Sequence, residues 1–398
     1  MHSTSPFNPR LTATLAPPIM EAYSWVEAAQ LPDDKPLINI SQAAPTAPPP
    51  GPLRRAMADM VMNDPGAHLY GPVLGLDDLR AQVASEWARD YGGSISDTQV
   101  AITSGCNQAF CAAIATLAAP GDSVILPAPW YFNQKMWLDM AAVETRVLSC
   151  DNDMLPDPGQ AAAMIDSTTR AIVLVSPNNP TGAEYPAELL RAFYELARTH
   201  GLALIVDETY RDFHSQTSAP HDLFQDPDWD QTLIHLYSFS KAYRLTGHRV
   251  GAIVASTDRL AQAEKFLDTV TICPAQLGQR AALWGMRNLG SWLAGERDEI
   301  LRRRAAVADG IASLPGWQVK GCGAYFAYVS HPFDQTSDAV AKRLVEQAGV
   351  LLLPGTMFGP TQGDGGTGMA EAHLRIAFAN VDVETLHHVT ERLRALPA

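Results

Sequence analysis

Cysteine is scarce. The 398-residue chain has five: Cys106, Cys111, Cys150, Cys273 and Cys322. The number is odd and no C-x-x-C pair occurs, so the sequence encodes no disulfide framework. Reduced thiols in a cytoplasmic protein are the expectation, and no metal site is expected. Long apolar runs are missing too. Nothing approaches the length of a membrane span, and no basic flank with a long apolar stretch opens the chain, so neither a membrane segment nor a signal peptide is expected. Positive charge is in deficit: 29 Lys and Arg against 43 Asp and Glu give a net charge of −14. That balance argues against a nucleic-acid or anionic-membrane partner. It leaves a small substrate open, because a local basic pocket can sit inside an acidic protein.

What is present is an ordinary globular composition, 46% hydrophobic and 18% charged, in a chain long enough for two domains. Residues 1–16 read as a loose arm, and Pro17–Gln30 as a short helix ending near Leu31-Pro32. Five prolines between Pro45 and Pro52 read as an extended connector. Short apolar runs then recur at Val100–Thr103, Ser123–Leu126, Ala171–Val175, Ala203–Val206, Leu233–Tyr237 and Val250–Val254. Helix-compatible segments such as Asn107–Ala118 and Pro186–His200 separate many of them. This alternation predicts an α/β domain around a mostly parallel sheet. Helices are predicted at Arg259–Val270, Ala275–Met286 and Ser291–Leu314. Beyond them come apolar runs at Tyr325–Val329 and Leu374–Phe378 and helices near Ser337–Ala348 and Val383–Leu396. They predict a smaller α+β domain joined by the N-terminal segment. The division expected is a large domain at 46–288 and a small one from 1–45 and 289–398.

In such sheets ligands bind at the C-terminal ends of the strands. The residues with chemical potential fall there: after Thr103, after Val175, at Asp207 and after Tyr237. Lys241 closes the string Ser238-Phe239-Ser240-Lys241, and Arg249 follows eight residues on. A lysine becomes a Schiff-base nucleophile when neighbours or desolvation lower its pKa, and an arginine clamps phosphate. Alone, Lys241 reads first as a solvated surface lysine. Asp207 ends an apolar run, where a carboxylate can hold a positive ring nitrogen; Tyr210 lies three residues on. A structural acidic turn is the bland alternative. Ser176-Pro177-Asn178-Asn179-Pro180-Thr181-Gly182 sets amides at a strand end, although such residues also favour plain turns. Ser104-Gly105-Cys106-Asn107 passes from a strand through a Gly turn into a helix, a backbone anion site that lacks the P-loop string. Arg375 lies inside an apolar run, where it needs a substrate carboxylate or a structural acid as partner.

Taken together, in order and spacing, these strings resemble the class I/II aminotransferases, fold type I of the pyridoxal-phosphate enzymes. Tyr70–Arg80 reads Y-G-P-V-L-G-L-D-D-L-R, like the family's Y-x-x-x-x-G-x-x-x-L-R, and the resemblance runs from about Ser41 to Phe378. It implies a large domain with a seven-stranded, mostly parallel sheet and pyridoxal phosphate as cofactor. Lys241 would carry the cofactor as a Schiff base and shuttle the substrate proton. Asp207 would hold the ring nitrogen protonated, and Tyr210 and Asn179 would bond the ring's 3-oxygen. Gly105, Cys106, Ser238 and Arg249 would cradle the phosphate, and Ser104, Asn107 and Ser240 would also contact the cofactor. Tyr131 would stack on the ring, with Trp130 as its alternative by one position. Arg375 would take the substrate α-carboxylate beside Asn179, Ala43 and Ala44, and Tyr70 would reach the partner subunit's phosphate site in a homodimer with composite sites. The implied reaction moves the amino group of an L-amino acid to a 2-oxo acid by a ping-pong route.

The sequence departs from the family pattern at Ala43, where glycine is common, and at Cys106, where alanine or serine is more usual. The stretch from Gly363 to Gly368 is glycine-rich, read as a mobile segment or a plain surface insertion. Two other functions share the resemblance. A C–S β-lyase, or another α,β-eliminating enzyme, uses the same lysine and aspartate. A non-catalytic regulator would carry a DNA-binding domain ahead of the match, whereas here about 40 non-basic residues precede it. Trp25, Tyr70, Trp130 and Tyr131 suit an apolar or aromatic substrate, or plain packing.

Overall fold

The computed structural model describes residues 6–31 and 35–396. Its centre is a seven-stranded sheet in the order Val100–Thr103, Gly251–Val254, Leu233–Ser238, Ala203–Asp207, Thr169–Val175, Ser123–Ala128, Glu144–Ser149. Gly251–Val254 runs antiparallel to both neighbours, and the other pairings are parallel. This is the mostly parallel α/β sheet that the alternating runs predict. The central strands are aliphatic on both faces because both faces are covered. Successive side chains point opposite ways. Ala203 and Ile205 join the helices Cys106–Ala115, Phe132–Met140 and Thr257–Thr271. Leu204 and Val206 meet Asp77–Tyr91, Ala187–Thr199 and Gln276–Asn288. Parallel strands put Thr103, Val175, Asp207 and Ser238 at one edge of the sheet.

A second, antiparallel sheet has the order Leu353–Pro354, His373–Ala377, Phe326–Ser330, Gln318–Gly323. The helices Gly290–Ala312, Ser337–Ala348 and Val383–Arg394 pack on it around Val307, Ile311, Leu344, Leu386 and Val389. The strand Ile38–Asn39 pairs in parallel with Val350–Leu351, which ties the N-terminal segment to the C-terminal part of the chain.

Several expectations need correction. The loose arm holds a short helix, Pro9–Ala13, whose first turn is capped by Asn8 Oδ1 accepting from the Arg10 amide at 3.0 Å. Residues 1–5 and Pro32 lie outside the described residues. The proline connector stops short, because Gly51–Asn63 is a helix with Pro52 in its first turn, where a missing N–H costs nothing. The strand Glu144–Ser149 escapes the apolar-run criterion because it is a partly exposed edge strand with a polar sequence. The helices Asp77–Tyr91 and Phe132–Met140 were not expected either. The glycine-rich loop is a bonded turn: the Gly366 amide donates to Thr361 O at 2.7 Å and the Gln362 amide to Glu371 Oε1 at 2.6 Å.

Gly182 explains why the Asn179–Gly182 turn ends in glycine. Its φ is +73°, and a Cβ there would stand 2.3 Å from Gly323 N and 2.6 Å from Phe326 O of the second sheet. Backbone meets backbone, so neither side can yield. Gly182→Ala is expected to cost roughly 1–3 kcal/mol or more, read as a lowered urea midpoint. A midpoint equal to that of the parent would show that the two sheets do not hold this approach rigidly.

Candidate active site

The strand ends at the shared edge enclose a cavity of about 120 Å³ lined by Cys106, Asn107, Tyr131, Val175, Asn179, Asp207, Thr209, Tyr210, Ser238, Ser240, Lys241 and Arg249. A second cavity of about 280 Å³ adjoins it and shares Tyr131, Asn179, Tyr210, Ser240, Lys241 and Arg249. It adds Ile19, Gln42, Ala43, Ala44, Phe132, Asn133, Thr246 and Arg375. Lys241 therefore stands on the wall common to both.

Lys241 follows the strand Leu233–Ser238 on a single helical turn capped by Ser238. Its Nζ donates to Ala43 O at 2.6 Å and lies 5.8 Å from the centre of the Tyr210 ring. Burial, then the cations Arg249 and Arg375, lower its pKa to about 8. Asp207 is buried at the end of its strand. Its Oδ1 accepts from the Thr209 amide at 3.0 Å, from Thr209 Oγ1 at 2.8 Å and from Cys106 Sγ at 3.6 Å. Its Oδ2 accepts from Gln134 Nε2 at 3.1 Å. Burial nonetheless pushes the Asp207 pKa up, so a cation is what this carboxylate lacks.

Beside them is an anion cradle. Gly105 has φ +89° and starts the helix Cys106–Ala115, whose first-turn N–H groups have no acceptor within the helix. A Cβ at Gly105 would lie 2.2 Å from the Arg249 guanidinium, so only glycine leaves this space open. Arg249 donates to Ser240 Oγ at 3.4 Å and to Thr246 O at 3.0 Å. Ser104 does not line the cavity; its amide donates to Gln108 Oε1 at 2.6 Å.

Arg375 is 2% exposed, in the strand His373–Ala377. Its guanidinium lies between the rings of Phe326 and Phe358, at 5.1 and 4.7 Å from their centres. It donates to Asn179 Oδ1 at 3.0 Å and to Ser41 O. Among the described residues no carboxylate pairs with it, so the structural ion pair left open by the sequence does not form. Burial lowers its pKa to about 10, against nearby tyrosines that act to raise it.

The aromatic expectations separate here. Tyr131 lines both cavities, whereas Trp130 packs in the core of the large sheet. Trp25 lies under the Lys342 ammonium, 5.4 Å from it, and lines neither cavity. Tyr70 is 81% exposed and also lines neither. Thr209, Gln134, Ile19, Gln42, Phe132, Asn133 and Thr246 were not foreseen. Thr209 had a local signal, a hydroxyl two residues after Asp207, and Gln42, Phe132 and Asn133 lie next to or near the expected Ala43 and Tyr131; Gln134, Ile19 and Thr246 had none.

Glu208, next to Asp207, points through the sheet to the other face. Its Oε2 accepts from Tyr91 and, at 2.7 Å, from His235 Nε2, and His221 Nε2 lies 3.5 Å away. The Nδ1 atoms of His235 and His221 accept from Trp87 Nε1 and the Leu223 amide, each at 3.3 Å. His235 thus presents an N–H to Glu208, whereas His221 Nε2 makes no hydrogen bond. Burial acts to raise the Glu208 pKa, but His221 and His235 hold it well below the usual carboxylate range.

A buried amine of lowered pKa, a buried carboxylate across the cavity and an unpaired guanidinium next door define an enzyme built to work on an amino acid through a carbonyl group. The family model described as aminotransferase class I and II matches residues 35–393. An aspartate aminotransferase of Pyrococcus horikoshii is 30% identical over 322 residues, 79% of this chain and 80% of its own. An aromatic aminotransferase of Arabidopsis thaliana is 27% identical over 348 residues, 83% and 82% of the two chains. The solved aspartate aminotransferase of Thermus thermophilus with maleate superposes with a TM-score of 0.87 over 98% of this chain and 99% of its own, at 23% identity. The chain belongs to the class I and II aminotransferases. It is an aminotransferase, and neither elimination nor a regulatory role is favoured. No helix among the described residues is long and apolar enough to cross a membrane.

The lowered pKa of Lys241 gives a test that needs no substrate. A depressed ammonium loses its proton as pH rises through the lowered value, so the nucleophilic amine is available about two units earlier than on a free lysine. Competitive acetylation of the cofactor-free protein, read by peptide mass spectrometry, is expected to rise at Lys241 with a midpoint near pH 8. A midpoint above 10 would mean that burial and the two arginines do not act on it.

Proposed function

We propose that this aminotransferase holds pyridoxal phosphate in the cavity between Lys241 and Asp207 and its amino-acid or 2-oxo-acid substrate in the adjoining cavity beneath Arg375. The observation that carries the reading is Arg375, buried without a counter-charge and one residue, Asn179, away from the cofactor cavity. A substrate carboxylate supplies the missing charge, in the two-pronged geometry that a guanidinium favours.

The chain's residues fit the cofactor. Gly105 lets the Arg249 guanidinium come where a Cβ would stand 2.2 Å from it, and the helix N-terminus at Cys106 and Asn107 and the hydroxyls of Ser238 and Ser240 line the same cavity. These are the proposed phosphate cradle. Asp207 is short of a cation, and a protonated ring nitrogen is one. Thr209 and Gln134 fix its carboxylate, so that it meets the ring without reorganising. Tyr210 and Asn179 are assigned to the 3-oxygen, and Tyr131 to the ring face. When bound, the cofactor supplies an electron sink that makes the substrate α-proton acidic.

Lys241 has two duties. As a neutral amine it would hold the cofactor, and its Nζ would serve as the base that takes and returns the substrate α-proton. Arg375, braced by Asn179, fixes the substrate so that the Cα–H bond faces Lys241. Ala43 and Ala44 line the same cavity. A second 2-oxo acid reverses the steps, which gives ping-pong kinetics. In this reading residues 46–288 form the cofactor domain, and 1–45 with 289–398 the smaller one. Tyr70, Leu69, Val270 and Ile272 are exposed, and the Gly71 amide donates to Cys273 Sγ at 3.4 Å, which ties their two segments together. This apolar surface supports a homodimer in which Tyr70 reaches the partner subunit's phosphate site. A cytoplasmic location goes with the reading.

The test is an absorbance titration of the protein loaded with pyridoxal phosphate. A visible band is expected to fall on adding an amino acid and to return with a 2-oxo acid. Lys241→Ala is expected to abolish both changes. Arg375→Ala is expected to raise KM by about 100-fold, the loss of two charge-assisted hydrogen bonds, and to affect kcat less. An unchanged KM would remove Arg375 from the substrate site.

A further inference from the structure

The two oxygens of Asp207 are unequally engaged. Oδ1 accepts from the Thr209 amide, the Thr209 hydroxyl and the Cys106 thiol, three donors for two lone pairs. Oδ2 accepts from Gln134 Nε2 alone. The acceptor capacity that remains is therefore on Oδ2. On the reading above, on which this inference rests, Oδ2 is the atom that takes the ring N–H. Every donor to the carboxylate is neutral, and Asp207, Gln134 and Cys106 are all buried within the one chain.

Gln134 approaches from the helix Phe132–Met140, and Cys106 opens the helix Cys106–Ala115. Packing alone does not explain Gln134. Its Oε1 is buried without a partner among the described residues, so the side chain's one hydrogen bond is the one to Asp207. A half-satisfied buried amide costs the fold what an apolar side chain of the same length would spare it. The Cys106 thiol keeps its proton, because burial and then Asp207 push its pKa up, and so it has one to donate.

A proton between a buried carboxylate and a ring nitrogen has two places to rest. Burial favours the neutral pair, with the proton on the carboxylate. Each donor to the carboxylate favours the charged pair, with the proton on the ring, and a protonated ring is the stronger electron sink. A cationic donor would also repel that ring, which a neutral one does not. We propose that Gln134 and Cys106 are positioning residues that act through Asp207: they hold the shared proton on the ring nitrogen and leave Oδ2 as the atom that faces it.

The test reads the proton directly. Holoenzyme is loaded with pyridoxal phosphate carrying 15N in its ring. The ring resonance, which moves upfield on protonation, is recorded together with kcat and KM for the donor that the absorbance titration selects. Gln134→Met keeps the length and removes the donor. Its resonance is expected to move downfield, with kcat lowered about 10–100-fold and KM within about twofold of the parent, since Arg375 and Asn179 are untouched. Cys106→Ala is expected to shift the same way by less, with kcat lowered about threefold, because a thiol is a weak donor. Cys106→Ser keeps a donor and is expected to return the parent resonance. A parent-like resonance in Gln134→Met overturns the proposal even if kcat falls, because lost activity alone fits disturbed packing. A resonance in Cys106→Ser equal to that of Cys106→Ala removes Cys106 from the set. Asp207→Ala tests the underlying reading separately: a ring that stays protonated without Asp207 strikes the cofactor assignment itself.

Discussion

Burying the Arg375 guanidinium without a carboxylate is the constraint around which the site is organised. Taking such a charge out of water is costly unless every prong is engaged. The chain meets that cost only in part: neutral partners from distant segments engage the two terminal nitrogens, and Nε has no partner among the described residues. Ser41 O comes from the N-terminal stretch, Asn179 Oδ1 from the turn after a central strand, and the rings of Phe326 and Phe358 from the second sheet and its flank. One side chain thereby fixes the relation between the edge of the large sheet and the smaller antiparallel one. The same approach requires Gly182, whose backbone lies against Gly323.

Asp207 and Glu208 show how a strand distributes charge. Neighbours in sequence, they point to opposite faces, and each solves its burial differently. Glu208 is met on Oε2 by the Tyr91 hydroxyl and His235 Nε2, with His221 Nε2 3.5 Å away. Asp207 has the Thr209 hydroxyl and amide, a thiol and an amide side chain around it, and burial still raises its pKa. Asp207 is thus the carboxylate left wanting a cation.

What was legible in the sequence follows from range. Strands buried on both faces announce themselves as aliphatic runs, and Lys241, Asp207, Asn179, Arg249 and Gly105 sit in short strings at the ends of those runs. The structure gathers these five around one cavity or its cradle. The edge strand Glu144–Ser149 was hidden because an exposed edge needs no apolar run. Gln134, Ile19 and Phe132 were hidden for another reason. They reach the site through the packing of whole helices, which no local pattern records. Pro52 misled because a proline in a first helical turn looks, in sequence, like one in a connector.

The segment Ser41–Ala44 deserves a thermodynamic reading. Its carbonyls occupy both free cations of the site, Ser41 O on Arg375 and Ala43 O on Lys241. Ligand entry at Arg375 is thus an exchange, in which an anion replaces a peptide dipole. Occupancy then depends on the difference between two bonds, which favours full negative charge over merely polar molecules.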